Sequence, residues 1–214
     1  MADIKQIYID RLKEIINKSY QILIHKLGNG SLNAQNEASF QLEFAYILKT
    51  IGNLYEFNLD DKFHLELESY IKLTEKSPKS RSNQARVDLV AIYKNKDVSV
   101  RCAIELKFFK KENHREPNNR YDVFQDLKNL ELYKKHEVDF CYFILGTNHA
   151  HYYNQEEYSI GTGDFDFRHS KTYQKGKLLK YNTKKPHGGP ISLENDYTFY
   201  WDSINNLHFL KVEV

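Results

Sequence analysis

What limits this chain most is a pair of apolar, strand-like runs joined by a turn too short for anything but a hairpin. Arg86 to Tyr93 and Val98 to Phe109 are the two runs, and Lys94-Asn95-Lys96-Asp97 separates them. Successive side chains on a strand point to opposite faces, so Glu105 and Lys107 point the same way, about 7 Å apart along the chain. Folding the hairpin near Asn95 sets Asp88 opposite a residue between about Ala103 and Glu105. Two carboxylates and a lysine thus meet on one face. Ala103, Ile104, Leu106, Phe108 and Phe109 mark the strand as largely buried, and ionised groups in such a strand need a partner or a metal to offset lost hydration.

The flanking segments switch period. Ile4, Ile7, Tyr8, Leu12, Ile15, Ile16, Tyr20, Leu23 and Leu27 recur at helical spacing and stop at Gly28-Asn29-Gly30. A second helix, capped by Asn33 or Asn36, carries Phe40, Phe44, Ile47, Leu48 and Ile51 on one face and ends near Gly52-Asn53. Phe63 to Glu68 alternates as a half-buried strand, and the polar stretch 74–84 reads as an exposed loop. After a loop from Lys110 to Asn119, a helix is expected from about Arg120 to Lys135. Asp139 to Leu145 reads as a strand covered on both faces. A closing hairpin is expected from Tyr197 to Val214. The order is helix, three antiparallel strands, helix, strand, with additions at both ends. That predicts one α/β domain around a mixed central sheet, with an N-terminal helix over 1–30, a core over 33–146 and a basic region with its closing hairpin over 153–214.

Composition narrows the partner classes. A formal net charge of +2 on 214 residues excludes binding of nucleic acid by bulk electrostatics and leaves only locally clustered charge. No stretch approaches the roughly 18 uninterrupted apolar residues of a membrane span. The charged N-terminus has no block suited to a signal peptide. Cys102 and Cys141 read as small buried hydrophobes and suit a reducing cytoplasm; a disulfide between them requires neighbouring strands.

The Asp88, Glu105 and Lys107 set suits phosphodiester hydrolysis. Two carboxylates, with the backbone carbonyl of Leu106, can hold a hard cation such as Mg2+, for which Mn2+ is a substitute. Such a cation polarises a phosphate or acidifies a bound water. Lys107 places positive charge beside the charge that develops on the phosphate. A structural ion pair between Glu105 and Lys107, or Asp88 and Lys107, is the competing reading.

Asp88, sixteen intervening residues and then Glu105-Leu106-Lys107 on a hairpin between two helices resembles the PD-(D/E)XK nuclease superfamily over roughly residues 33 to 146. Val87 stands where the motif has its proline. The resemblance implies a restriction-endonuclease-like core and a Mg2+-dependent endonuclease, most simply a type II restriction enzyme. It further implies double-stranded DNA as partner, a homodimer with the N-terminal helix or C-terminal hairpin as interface, and the cytoplasm of a bacterial or archaeal cell. It also implies an additional acid from the first core helix. Glu37 falls about 40° from the centre of that helix's apolar face and Glu43 about 80°, which favours Glu37 as a catalytic and metal-binding addition. Gln125 and Asp126, on the helix after the active-site strand, are the expected supports for the lysine or a metal-bound water.

The segment from Arg168 to His187 holds seven Lys and Arg and no acid, with Tyr173 and Tyr181 interleaved. Its Lys171, Lys175, Lys177, Lys184 and Lys185 are candidate phosphate contacts. Lys79 and Arg81 in one loop, and Lys110, Lys111, Arg115 and Arg120 in another, flank the acidic centre and join them. His149 and His151 lack a third zinc ligand at matching spacing, and Gly161-Thr162-Gly163 reads as a turn. Alternatives stay open: a structure-selective repair or phage-defence nuclease, a non-catalytic DNA-binding module with the nuclease fold, or an unrelated α/β protein with a chance ion pair.

Overall fold

The computed structural model describes residues 4–74 and 83–214. Lys79 and Arg81 lie outside the described residues. Helix α1 (Ile4–Gly28) and helix α2 (Glu37–Leu54) precede the strands β1 (Lys62–Lys72), β2 (Gln84–Lys94) and β3 (Ser99–Phe109). Helix α3 (Glu116–Tyr133) then leads to β4 (Phe140–Thr147) and the single-turn helix α4 (His151–Asn154). The short strands β5 (Thr172–Tyr173) and β6 (Tyr197–Thr198) pair with each other, and β7 (Trp201–Ile204) and β8 (Leu207–Glu213) close the chain.

The central sheet is mixed and six-stranded, in the order β1-β2-β3-β4-β8-β7. Only β3 and β4 run parallel, as the crossover through α3 requires; the other neighbours are antiparallel. On one face α1 and α2 bury Leu12, Ile16, Tyr20, Phe40, Phe44 and Leu48 against Leu89, Cys102, Ile104 and Tyr142. On the other, α3 and the segment after Tyr152 bury Val123, Leu127, Phe165, Phe167 and Phe199 against Val90, Ala103, Cys141 and Phe143. Every residue of β4 is buried, as expected of a strand covered on both faces. Cys102 and Cys141 sit on neighbouring strands but in opposite cores, which is why both are free thiols.

Local chemistry explains the boundaries. Asn36, not Asn33, caps α2: the Ser39 N–H donates to Asn36 Oδ1 at 2.9 Å and the Asn36 N–H donates to Ser39 Oγ at 3.0 Å. A reciprocal cap of this kind stabilises a helix start by about 1 kcal/mol, and it makes Glu37 the first helical residue. Helix α3 begins at Glu116, four residues before the sequence expectation, because Pro117 is well suited to a first turn and Glu116 adds an acid there. The closing hairpin is shorter than expected, since Tyr197-Thr198 pairs with Thr172-Tyr173 instead. The hairpin extends the central sheet, and α1 lies against it. A Cβ on Gly28 would come within 2.3 Å of the Ile204 side chain, so only glycine allows that approach. Among the described residues no helix is long and apolar enough to cross a membrane.

Candidate active site at a fork in the sheet

The candidate residues gather where the sheet divides. Strands β2 and β3 pair from Lys94↔Ser99 to Leu89↔Ile104. One step further the ladder ends, and the Leu106 N–H donates to the carboxylate of Asp88 (Oδ2, 2.7 Å) instead of to a backbone carbonyl. From there β3 stays with β4, while β2 continues only with β1. Asp88 is the residue at the fork, in line with Glu105 one step beyond the last pair.

The same point reverses the faces of two strands. Phe63 in β1 and Leu89, Ala91 and Tyr93 in β2 belong to the core under α1 and α2. Ile71 in β1 and Ala85 and Val87 in β2, also odd-numbered, belong to the core under α3. A regular strand keeps its odd positions on one face, so both strands must break step. They do so where Glu68 and Asp88 face each other, between the pairs Leu67↔Leu89 and Ser69↔Val87. Glu68 takes a left-handed backbone there, at φ 53, which is uncommon for a residue with a side chain.

Lys107 is the centre of charge. Its side chain is 14% exposed, and its ammonium lies 3.4 Å from Glu37 Oε1 and 3.5 Å from Asp126 Oδ2. It also donates to the Leu106 carbonyl at 3.1 Å. Burial acts to depress its pKa, but Asp126, Glu37, Glu105 and Asp88 outweigh that and hold it above the ordinary lysine value. Lys107 is therefore a fixed cation. Glu37 is shifted upward by burial, with Asp88 and Asp126 adding to the rise and Lys107 opposing it. The phenol of Tyr133, near the same acids, is kept protonated by burial and by Glu105, Asp126 and Asp88.

The expected residues thus meet in part. Asp88, Glu105, Lys107 and Glu37 share one site, and Asp126 joins them from α3. Gln125 does not: its amide donates to Asn129 one turn along at 3.2 Å. Gln41 and Glu68, which the sequence reading did not assign to the site, also belong here. Gln41 Nε2 donates to the Asp88 backbone carbonyl at 3.0 Å and to Glu68 Oε1 at 3.3 Å. Arg86 holds the other oxygen of Glu68. The spacing of Glu37 and Gln41, four apart on one helix, was a usable signal for Gln41; nothing local marks Glu68.

Four carboxylates around one ammonium leave the site with an excess of negative charge. The carboxylates and the Leu106 carbonyl all offer oxygen, the donor type that hard divalent cations prefer. Among the described residues no three His, Cys, Asp or Glu side chains are gathered closely enough to hold a metal alone. What the fork itself offers is smaller: the carboxylates of Asp88 and Glu105 and the Leu106 carbonyl, which already accepts from Lys107 at 3.1 Å.

A cleft of about 530 Å3 reaches the site at Glu37 and Lys107 and is also lined by Asn36, Lys110, Arg115 and Asp122, whereas Asp88, Glu105 and Asp126 lie outside its lining. Lys110 and Arg115 therefore reach the cleft, and the exposed Lys111 lies between them in the chain. His187 bonds to Asp122 at 2.9 Å and Tyr181 donates to Asn118 at 2.8 Å, which ties the segment carrying Lys184 and Lys185 to the start of α3. Lys171 and Lys177 instead line a separate cleft with Asp164 and Asp166. The backbone of Lys175 is tied to Asp196. Tyr173 is a core residue, 3% exposed.

Arg120 corrects the sequence expectation. It is 2% exposed, donates to the Thr162 carbonyl at 3.1 Å and hydroxyl at 2.6 Å, and lies 3.7 Å over the Tyr158 ring. It cannot reach a phosphate backbone. The turn Gly161-Thr162-Gly163 is its receptor. His149 pairs with Glu116 at 3.0 Å and packs beside His151.

Comparison with protein-family models, curated proteins and solved structures finds no match to this chain.

Proposed function

We propose that this protein is a Mg2+-dependent endonuclease that hydrolyses DNA phosphodiester bonds, built on a restriction-endonuclease-like core and acting as a type II restriction enzyme. The observation that carries the reading is Lys107 set among Glu37, Asp88, Glu105 and Asp126 at the fork of the sheet, with Lys107 and Glu37 lining an open cleft. The order α2, β1 to β3, α3, β4 around a mixed sheet supports the same reading.

Asp88, Glu105 and the Leu106 carbonyl would hold the cation, which supplies Lewis acidity toward the phosphate and toward a bound water. Asp88 is oriented for this by the Leu106 N–H. Lys107, its ammonium set between Glu37 and Asp126, acts as a positive charge beside the phosphoryl oxygens. Asp126 and Glu37 hold its ammonium from two helices. Lys110 and Arg115 meet the DNA backbone along the cleft, and Lys184 and Lys185 extend that track. A two-fold assembly would bring two such sites to two strands.

The test incubates the protein with mixed-sequence plasmid and Mg2+, beside Asp88→Asn and Lys107→Ala. Discrete fragments from wild type alone support the restriction reading. A smear supports a nonspecific or repair nuclease. Intact plasmid across a range of divalent metals and temperatures refutes catalysis.

A further inference from the structure

The fork creates a mechanical problem that the acids alone do not solve. Asp88 lies one step beyond the last β2–β3 pair, so its backbone is not braced by that ladder, and one oxygen of its carboxylate accepts from the Leu106 N–H. Its carbonyl is instead taken by Gln41, from α2. The same Gln41 nitrogen donates to Glu68.

Both partners of Gln41 are acceptors only, so the amide has one satisfactory orientation, with its nitrogen toward them. Glu68 thus selects the amide orientation that holds Asp88. To reach Gln41, Glu68 stands opposite Asp88 in the left-handed conformation at φ 53, its other oxygen held by Arg86. Gln41 lies one turn after Glu37 on the same face of α2, so one helix braces both Lys107 and Asp88.

We propose that Gln41 and Glu68 are positioning residues that fix Asp88 at the fork, Gln41 by bonding its carbonyl and Glu68 by orienting Gln41. The role in catalysis rests on the nuclease reading; the role in positioning does not.

The experiment uses the full chain carrying Gln41→Met, which keeps the shape but removes the donor, or Glu68→Gly, which takes φ 53 without strain. Amide exchange is read by NMR without DNA. In both variants the Leu106 N–H is expected to exchange about tenfold faster, the change carried by one hydrogen bond of ordinary net strength. The Ile144 N–H in β4 should be unchanged. Plasmid cleavage should show kcat lower by about tenfold with KM for DNA near wild type, the pattern of a misplaced group rather than a lost contact. Glu68→Gly should melt no lower than wild type.

Leu106 exchange at the wild-type rate in Gln41→Met overturns the proposal. So does wild-type kcat in both variants of an active enzyme. A Glu68→Gly protein melting far below wild type makes Glu68 a folding residue and removes it from the pair. If wild type cuts no DNA, the nuclease reading fails, and the Leu106 amide still decides whether Gln41 and Glu68 position Asp88.

Discussion

Replacing Arg120 with alanine separates two roles that basic residues near a nucleic-acid site are easily given. Its guanidinium makes two bonds to Thr162 and stacks over Tyr158. Hydrogen bonds from a charged group contribute about 1.5–3 kcal/mol each, and a desolvated cation–π contact about 2 kcal/mol. Against these stands the loss of hydration of a charge that is 2% exposed, of several kcal/mol. Truncation removes the contacts, leaves the Thr162 carbonyl and hydroxyl without that donor and opens a cavity, for a net loss of about 3 kcal/mol. For a chain of this length that lowers Tm by roughly 6–12 °C. The assay is thermal and urea unfolding of Arg120→Ala beside wild type, with DNA affinity measured well below either Tm. Arg120→Met, which refills the space without the charge, should recover part of the loss. A Tm within about 2 °C of wild type together with weakened DNA binding would falsify the clamp and restore Arg120 as a DNA contact.

Lys107→Met should lower the cleavage rate roughly 100- to 1000-fold, as loss of one fixed transition-state donor does, while a gel-shift assay shows DNA affinity little changed. Lys110→Ala and Arg115→Ala should each reduce the salt slope of DNA binding by about 0.9; the same slope in Lys171→Ala and Lys177→Ala should match wild type, because those residues line another cleft. Burial, Arg120 and His149 push His151 down to about 4 from the ordinary 6.5. Its folded pKa lies below the unfolded one, so the stability it contributes is complete above pH 6.5 and lost as pH falls toward 4. Urea midpoints across that window should therefore decline less steeply in His151→Gln than in wild type.

Much of the site was legible because it is local. A strand's period of two and a four-residue turn leave little freedom in register, so the chain alone puts Asp88, Glu105 and Lys107 on one face. The cap at Asn36 follows from side-chain chemistry within one turn, and it makes Glu37 the start of α2, on the side facing Lys107. The helices and strands of the core were readable for the same reason: their apolar spacing repeats over many residues and survives small errors at the ends.

What the chain could not declare depends on partners distant in sequence. Asp126 and Gln125 are adjacent polar residues on one helix, and only the docking of α3 on the sheet turns the first to Lys107 and the second to Asn129. Arg120 looks like a surface cation until Thr162 and Tyr158, some forty residues on, close over it. The basic stretch has one composition but two destinations: its end is tied to α3 beside the cleft, and its beginning faces Asp164 and Asp166. Glu68 belongs to an alternating strand by its neighbours, yet it stands left-handed where two strands change face together. Periodicity determined which elements form and which side of the hairpin carries the charge. Tertiary packing decided which charges meet, because burial and pairing depend on the surface that another part of the chain brings.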